Sequence, residues 1–200
     1  MFAEPRQHTL ATGSISRRRF LQLSGGTLIA GVSLAPGLAW AKRQKPEAVE
    51  KKLDLYNYHT GERVKAVYWS EGDYVSETIT EINHVLRDRR TDEAIDMDPM
   101  LLDLLFDIAR KIEARDPFYI VSAYRSPKTN ARLRQRRKGV AKNSQHIYGK
   151  AADFYIPGRD LSYVRKAALS LRSGGVGYYP RSHFIHVDTG PVRSWRSVGR

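Results

Sequence analysis

From Leu53 onward, apolar and polar positions alternate along the chain. Leu53-Asp54-Leu55-Tyr56-Asn57-Tyr58 and Arg63-Val64-Lys65-Ala66-Val67-Tyr68-Trp69 follow a period of two, and Thr60-Gly61 between them has turn chemistry, so a leading β-hairpin is expected. The period then lengthens. Ile79, Ile82, Val85 and Leu86 recur at helical spacing within Glu77 to Leu86. A longer helix is predicted to start at Asp98-Pro99, a cap followed by a first-turn proline, and to run to about Ala114. Its buried stripe is Leu101, Leu102, Leu105, Ile108, Ala109 and Ile112.

Phe118 to Tyr124 reads as a strand bounded by Pro117 and Ser126-Pro127, which places Arg125 at a strand end, where sites are commonly built. A basic helix is expected from Lys128 to about Lys138, closed by Gly139. Asp153-Phe154-Tyr155-Ile156 fits a close-packed strand ending at Pro157-Gly158. Leu161 to Arg172 is predicted as a helix ended by Gly174-Gly175, followed by paired strands at Val176-Gly177-Tyr178-Tyr179 and Ser182 to Val187. No repeat, low-complexity tract or heptad pattern is present.

The first forty residues have a different character. Ser16-Arg17-Arg18-Arg19-Phe20-Leu21-Gln22 precedes a modestly apolar stretch from Leu23 to Leu38, and Ala39-Trp40-Ala41 is a small-x-small cleavage signal before Lys42. The pattern predicts a bacterial twin-arginine export signal over residues 1–41, hence the periplasm or cell envelope. Gly25, Gly26, Gly31, Pro36 and Gly37 interrupt a run shorter than the roughly 20 apolar residues of a membrane span, so no stable insertion is expected after signal cleavage. A polar linker over 42–52 and one domain over 53–200 complete the expected organisation. The chain has no cysteine, so neither a disulfide nor a lipid-modified cysteine anchor contributes.

Charge adds a partner class. The net charge is +13, and removal of residues 1–41, which hold Arg6, Arg17, Arg18 and Arg19 against Glu4, leaves 159 residues at +10. Such a surface suits a polyanion. For an exported chain, cell-wall polymer with free carboxylates or an anionic lipid surface fits better than nucleic acid, although the run Arg132 to Lys138 also fits a solvated helix face. Tyr178-Tyr179-Pro180-Arg181 suits either a groove wall or strand packing. Oligomeric state is not legible in the pattern.

The chemistry concentrates in Ser144-Gln145-His146-Ile147-Tyr148-Gly149-Lys150-Ala151-Ala152-Asp153, with His183 and His186 in a second cluster about thirty residues on. Zinc takes neutral imidazole and carboxylate ligands in a tetrahedron, and a catalytic site keeps its fourth position for water. His146, Asp153 and His186 make such a set. Gly149 lets the chain turn sharply between two of them, and Ala151 and Ala152 leave room beside Asp153. Asp188 would share a strand face with His186 and orient its imidazole, or cap the turn at Gly190-Pro191. Ser144 and Gln145 would donate hydrogen bonds or shape the loop. His59 and His84 lack ligand-like neighbours and read as structural or surface residues, while His8 lies within the export signal.

The pattern S-x-H-x-x-G-x-A-x-D followed by F-I-H-V-D resembles the zinc D,D-carboxypeptidase and hedgehog-like metallopeptidase superfamily and, within it, is similar to the YcbK/MepK-like murein endopeptidases. The likeness runs from about Asp54 to the C-terminus. It implies an α+β fold, with a small antiparallel sheet carrying the metal site and helices packed against it. It also implies one zinc ion held by His146, Asp153 and His186. Ser122-Ala123-Tyr124-Arg125-Ser126 resembles the segment whose arginine faces the substrate, which gives Arg125 a substrate-binding role. Many relatives place Glu or Asp as general base three residues before the last ligand, where this chain has His183, itself able to accept a proton near neutral pH. The implied activity is hydrolysis of amide bonds in peptidoglycan stem-peptide cross-links. A D,D-carboxypeptidase and a catalytically silent, zinc-containing wall-binding or signalling module are the alternatives.

Overall fold

A computed structural model of the protein describes residues 50–137 and 139–197. The expected export signal and most of the expected linker lie outside the described residues. The hairpin forms as β1 (Lys51–Asn57) and β2 (Arg63–Ser70), so the first strand begins at Lys51, two residues before the expected start of the domain. Leu53, Leu55 and Asn57 point inward. The Asn57 carboxamide closes the turn, accepting from the backbone of His59 and Thr60 and donating to the Val85 carbonyl.

A two-residue β3 (Asp73–Tyr74) precedes α1 (Ser76–Val85) and α2 (Pro99–Lys111). The Asp98 carboxylate accepts from Met100 N at 3.0 Å, which satisfies a free donor of the first turn of α2. Leu101, Leu102, Leu105 and Ile108 are wholly buried, each contributing about 1.5–3 kcal/mol of hydrophobic stabilisation. Then follow β4 (Phe118–Ser122), α3 (Pro127–Arg136), a 3-10 turn (Gln145–Tyr148), β5 (Ala151–Tyr155), α4 (Leu161–Leu171), β6 (Gly175–Tyr179), β7 (Phe184–Asp188) and β8 (Arg193–Arg196).

The strands form one sheet in the order β3-β2-β1-β4-β5-β7-β6-β8. The fold is α+β as expected, but the sheet is larger than anticipated and mixed. β1 pairs in parallel with β4 because α1 and α2 cross between them, and β8 runs parallel to β6 on the far side from β7. The inner pairs β4/β5 and β5/β7 remain antiparallel. Phe154, Ile185 and Val187 face the core, and the alternation sends Asp153, His186 and Asp188 to the opposite side.

One punctuation signal served another purpose. The helix α4 ends on Arg172, in the left-handed conformation, rather than on Gly174-Gly175. Both glycines instead lie against β7. A side chain at Gly174 would overlap the Asp188 carbonyl, and one at Gly175 would meet the Asp188 carboxylate at 2.5 Å.

Candidate metal centre

Asp153 and His186 are opposed residues of the β5/β7 ladder, which sets both side chains side by side on one face. His146 reaches them from the 3-10 turn. Its carbonyl accepts from Arg125 N at 3.1 Å, and its Nδ1–H donates to the Ala123 carbonyl at 2.6 Å, so the segment after β4 grips the residue by main chain and ring together. Gly149, at φ +67°, ends the turn and returns the chain to β5. Its carbonyl accepts from Asp98 N at 3.0 Å, tying the turn to the start of α2.

Three ligand atoms converge. His186 Nδ1 lies 2.8 Å from Asp153 Oδ1 and 3.2 Å from His146 Nε2, and His146 Nε2 lies 3.3 Å from Asp153 Oδ1. Zinc bonds of about 2.0–2.1 Å in a tetrahedron require ligand atoms roughly 3.3 Å apart, so the donor set fits the ion in spacing and in type. All three residues are buried. Each imidazole has its outer nitrogen engaged: His146 with the Ala123 carbonyl, and His186 through Nε2–H to Asp188 Oδ2 at 2.8 Å. Those outer bonds select the tautomers whose lone pairs face inward.

Electrostatics reinforce the selection. Burial holds the His146 imidazole below its ordinary pKa, against the pull of Asp153, and so keeps it neutral. Burial would raise Asp153, but the two imidazoles outweigh it and hold the carboxyl well below the usual range. For His186 burial is likewise overcome, by Asp153 and Asp188, and the pKa rises to about 9 in the metal-free chain. Asp188 is completely buried and serves both roles considered for it. It orients His186, and its Oδ1 accepts from Gly190 N at 2.8 Å in the turn beyond β7. Arg193 donates to both its oxygens, at 3.0 and 2.6 Å.

A cavity of about 510 Å³ opens over these residues, lined also by Arg125, Ser144, Gln145, Tyr179, Phe184 and Trp195. The Arg125 side chain is 12% exposed, with its guanidinium 3.7 Å from Asp153 Oδ2 and only long bonds, 3.4 Å each, to Asn130 and Ser122. Its Nε has no hydrogen-bond partner among the described residues. A desolvated cation with an unused donor beside a cavity is suited to an anionic ligand group.

His183 is placed differently. It is exposed in the turn between β6 and β7, at φ +55°, with its ring 5.4 Å from that of Tyr155. Its neighbours Ser182 and Phe184 line the cavity, whereas His183 does not. His84 lies outside the cluster beside Glu62, and His59 is exposed in the first hairpin turn. Trp195 escaped the linear reading. Its ring packs 5.1 Å from that of His186, and its indole N–H donates to the Tyr179 hydroxyl at 2.9 Å. Gly177 makes room for it, since a Cβ there would lie 2.6 Å from the indole. The glycine alternation G-x-G at 175–177 was the available signal, legible only once β8 is known to run beside β6.

Comparison with known proteins agrees with this geometry. Residues 45–195 match the family model described as Peptidase_M15_2, Peptidoglycan L,D-endopeptidase MepK. The chain is 44% identical over 180 residues to the peptidoglycan L,D-endopeptidase MepK of Escherichia coli (strain K12), covering 90% of this chain and 97% of that one. It is 41% identical over 186 residues to the probable peptidoglycan L,D-endopeptidase MepK of Haemophilus influenzae, covering 92% and 97%. With a candidate metal-ligand set in place and the match spanning nearly the whole described region, the chain belongs to the Peptidase_M15_2 family of metallopeptidases.

Proposed function

We propose that the protein is a zinc-dependent peptidoglycan endopeptidase of the bacterial envelope that hydrolyses L,D amide bonds in stem-peptide cross-links. The observation that carries this reading is the convergence of His146 Nε2, Asp153 Oδ1 and His186 Nδ1 at tetrahedral spacing beneath an open cavity. The choice of the L,D bond rests on the activity for which relatives that align over almost their whole length are named.

When bound, zinc supplies a Lewis acid that polarises the scissile carbonyl and makes water acidic at neutral pH. His146, Asp153 and His186 would hold it. Arg125 binds a substrate carboxylate with the donors it does not use internally and so fixes the register of the peptide in the cavity. His183 accepts the proton of the attacking water. Its place in the chain between the lining residues Ser182 and Phe184 supports the role, as does the absence, among the described lining residues, of any carboxylate or imidazole outside the candidate ligand set.

Export by the twin-arginine route through residues 1–41, followed by a linker and a single catalytic domain, completes the proposal and accords with a wall substrate. Among the described residues no helix is long and apolar enough to cross a membrane.

The test is the product profile of the full, zinc-loaded chain on isolated peptidoglycan, resolved by mass, beside the Asp153→Asn variant and a chelated control. Chelator-sensitive products cut at the L,D cross-link are expected from the native chain alone. Products from a D,D bond would reassign the specificity, and an unchanged profile with zinc bound would overturn the enzyme reading. His183→Ala with full zinc content and full activity would remove that residue from the mechanism.

A further inference from the structure

From Pro117 to Ala152 the chain contains no Asp or Glu but nine Lys or Arg. The middle of this stretch is α3, whose placement owes little to apolar burial. Its buried residues are Thr129 and Asn130, and it is held by the Ser126 cap on Asp88 and by Asn130 donating to the carbonyls of Ala141 and Lys142. Outward, it presents charge.

Arg134 and Arg136 in the last turn suit the helix dipole, but the start of the helix does not. Lys128 stands in the first turn, at the positive end of the macrodipole, where no acidic residue offsets it. Lys128, Arg132 and Arg136 recur every four residues and so form one stripe, in which like-charged neighbours repel. All three are exposed, and with Arg134 and Arg137 they form no ion pair with any described residue. The helix also borders the catalytic cavity, to which Leu133 and Arg137 contribute wall. A row of like charges without an ion-pair partner among the described residues, next to a site, is where function is expected.

We infer that the α3 stripe Lys128-Arg132-Arg136 is a docking surface for polymeric peptidoglycan, engaging the free carboxylates of stem peptides beyond the one being cut. The inference rests on the proposed peptidoglycan substrate and adds the form in which it is recognised. The three stripe residues lie outside the cavity lining, so a small muropeptide that fills the cavity does not need them. A polymer strand crossing the cavity mouth meets them next. Their attraction is long-ranged at low salt and is screened as the Debye length shrinks from about 10 Å at 0.1 M to about 3 Å at 1 M.

The experiment compares the full, zinc-loaded chain with the triple variant Lys128→Gln, Arg132→Gln, Arg136→Gln on two substrates, isolated sacculi and soluble cross-linked muropeptide. Exposed pairs of this kind sum to about a tenfold change in affinity. The expected result is about a tenfold loss of sacculus binding and digestion at low salt, converging with the native chain at high salt, with muropeptide kcat/KM unchanged. Sacculi whose carboxylates have been amidated should bind the native chain as weakly as intact sacculi bind the variant. Unchanged sacculus binding by the variant would overturn the inference, as would an equal loss on both substrates. So would retention of the native chain on amidated sacculi, or stripe-dependent binding to phosphatidylglycerol vesicles with none to sacculi. If the native chain cuts neither substrate, the enzyme reading fails, while sacculus binding still reports on the stripe.

Discussion

The His186 imidazole is held between two carboxylates, and Asp188 Oδ2, 2.8 Å from Nε2, is the one that faces away from the metal-binding side. A strand rise of two residues puts both side chains on one face of β7. Asp188 is in turn anchored by Arg193 and by the backbone N–H of Gly175 and Gly190. Replacing Asp188 by Asn keeps the shape but loses the acceptor charge opposite the imidazole N–H. Zinc affinity should fall about 10–100-fold, read by competition with a chromophoric chelator. An unchanged affinity would show that the bond does not orient the ring.

Metal binding should release protons. In the metal-free chain the His186 pKa is raised to about 9, above its ordinary 6.5, by Asp153 and Asp188 acting against burial. The contribution of this charged contact to the stability of the metal-free fold is therefore complete below about pH 6.5 and is lost as pH rises through about 9. Zinc needs the Nδ1 lone pair. At pH 8 its binding should therefore expel about one proton per chain, measured by titration calorimetry in two buffers of different ionisation enthalpy. Proton release that is zero at pH 8 would contradict the assignment of Nδ1 as the ligand atom.

Gly149 should resist substitution. Its φ of +67° disfavours any side chain, and an added Cβ would stand 3.0 Å from the Asp96 carbonyl oxygen and 3.3 Å from Met97 Cα, both backbone atoms that cannot swing away. Gly149→Ala should cost about 1–3 kcal/mol in denaturant unfolding and weaken metal retention through displacement of His146. Stability equal to the native chain would mean that the turn relaxes without cost.

Gly177→Ala tests the seat of Trp195. The new methyl group would meet the indole at 2.6 Å and push the ring off His186 and away from the Tyr179 hydroxyl. A loss of about 1–3 kcal/mol is expected, with a change in tryptophan fluorescence and a lower kcat at full zinc content. A variant with native fluorescence and kcat would place Trp195 outside the working site.

Periodicity was enough for the elements whose signal is local. The stripe on α2 and its Asp98 cap are cases in point, since a helix that buries one face repeats at its own period and starts where a side chain can satisfy a free N–H. The same holds for the ligand set. His146, Asp153 and His186 carry the residue types zinc requires, and a glycine with positive φ lies between two of them, so both chemistry and turn were written in the chain.

The tertiary structure decided what depends on distant pairings. The linear pattern held no register, so it could not show that Asp153 lies opposite His186, that β8 returns beside β6 to lay Trp195 over Gly177, or that Gly174-Gly175 accommodate Asp188 instead of ending α4. Nor could it place Arg125 in the cavity wall and His183 in an exposed turn outside the lining. Residue type and local period are properties of neighbours in sequence. Distance, burial and the resulting charge state belong to strands brought together from far apart, and only the folded sheet sets them.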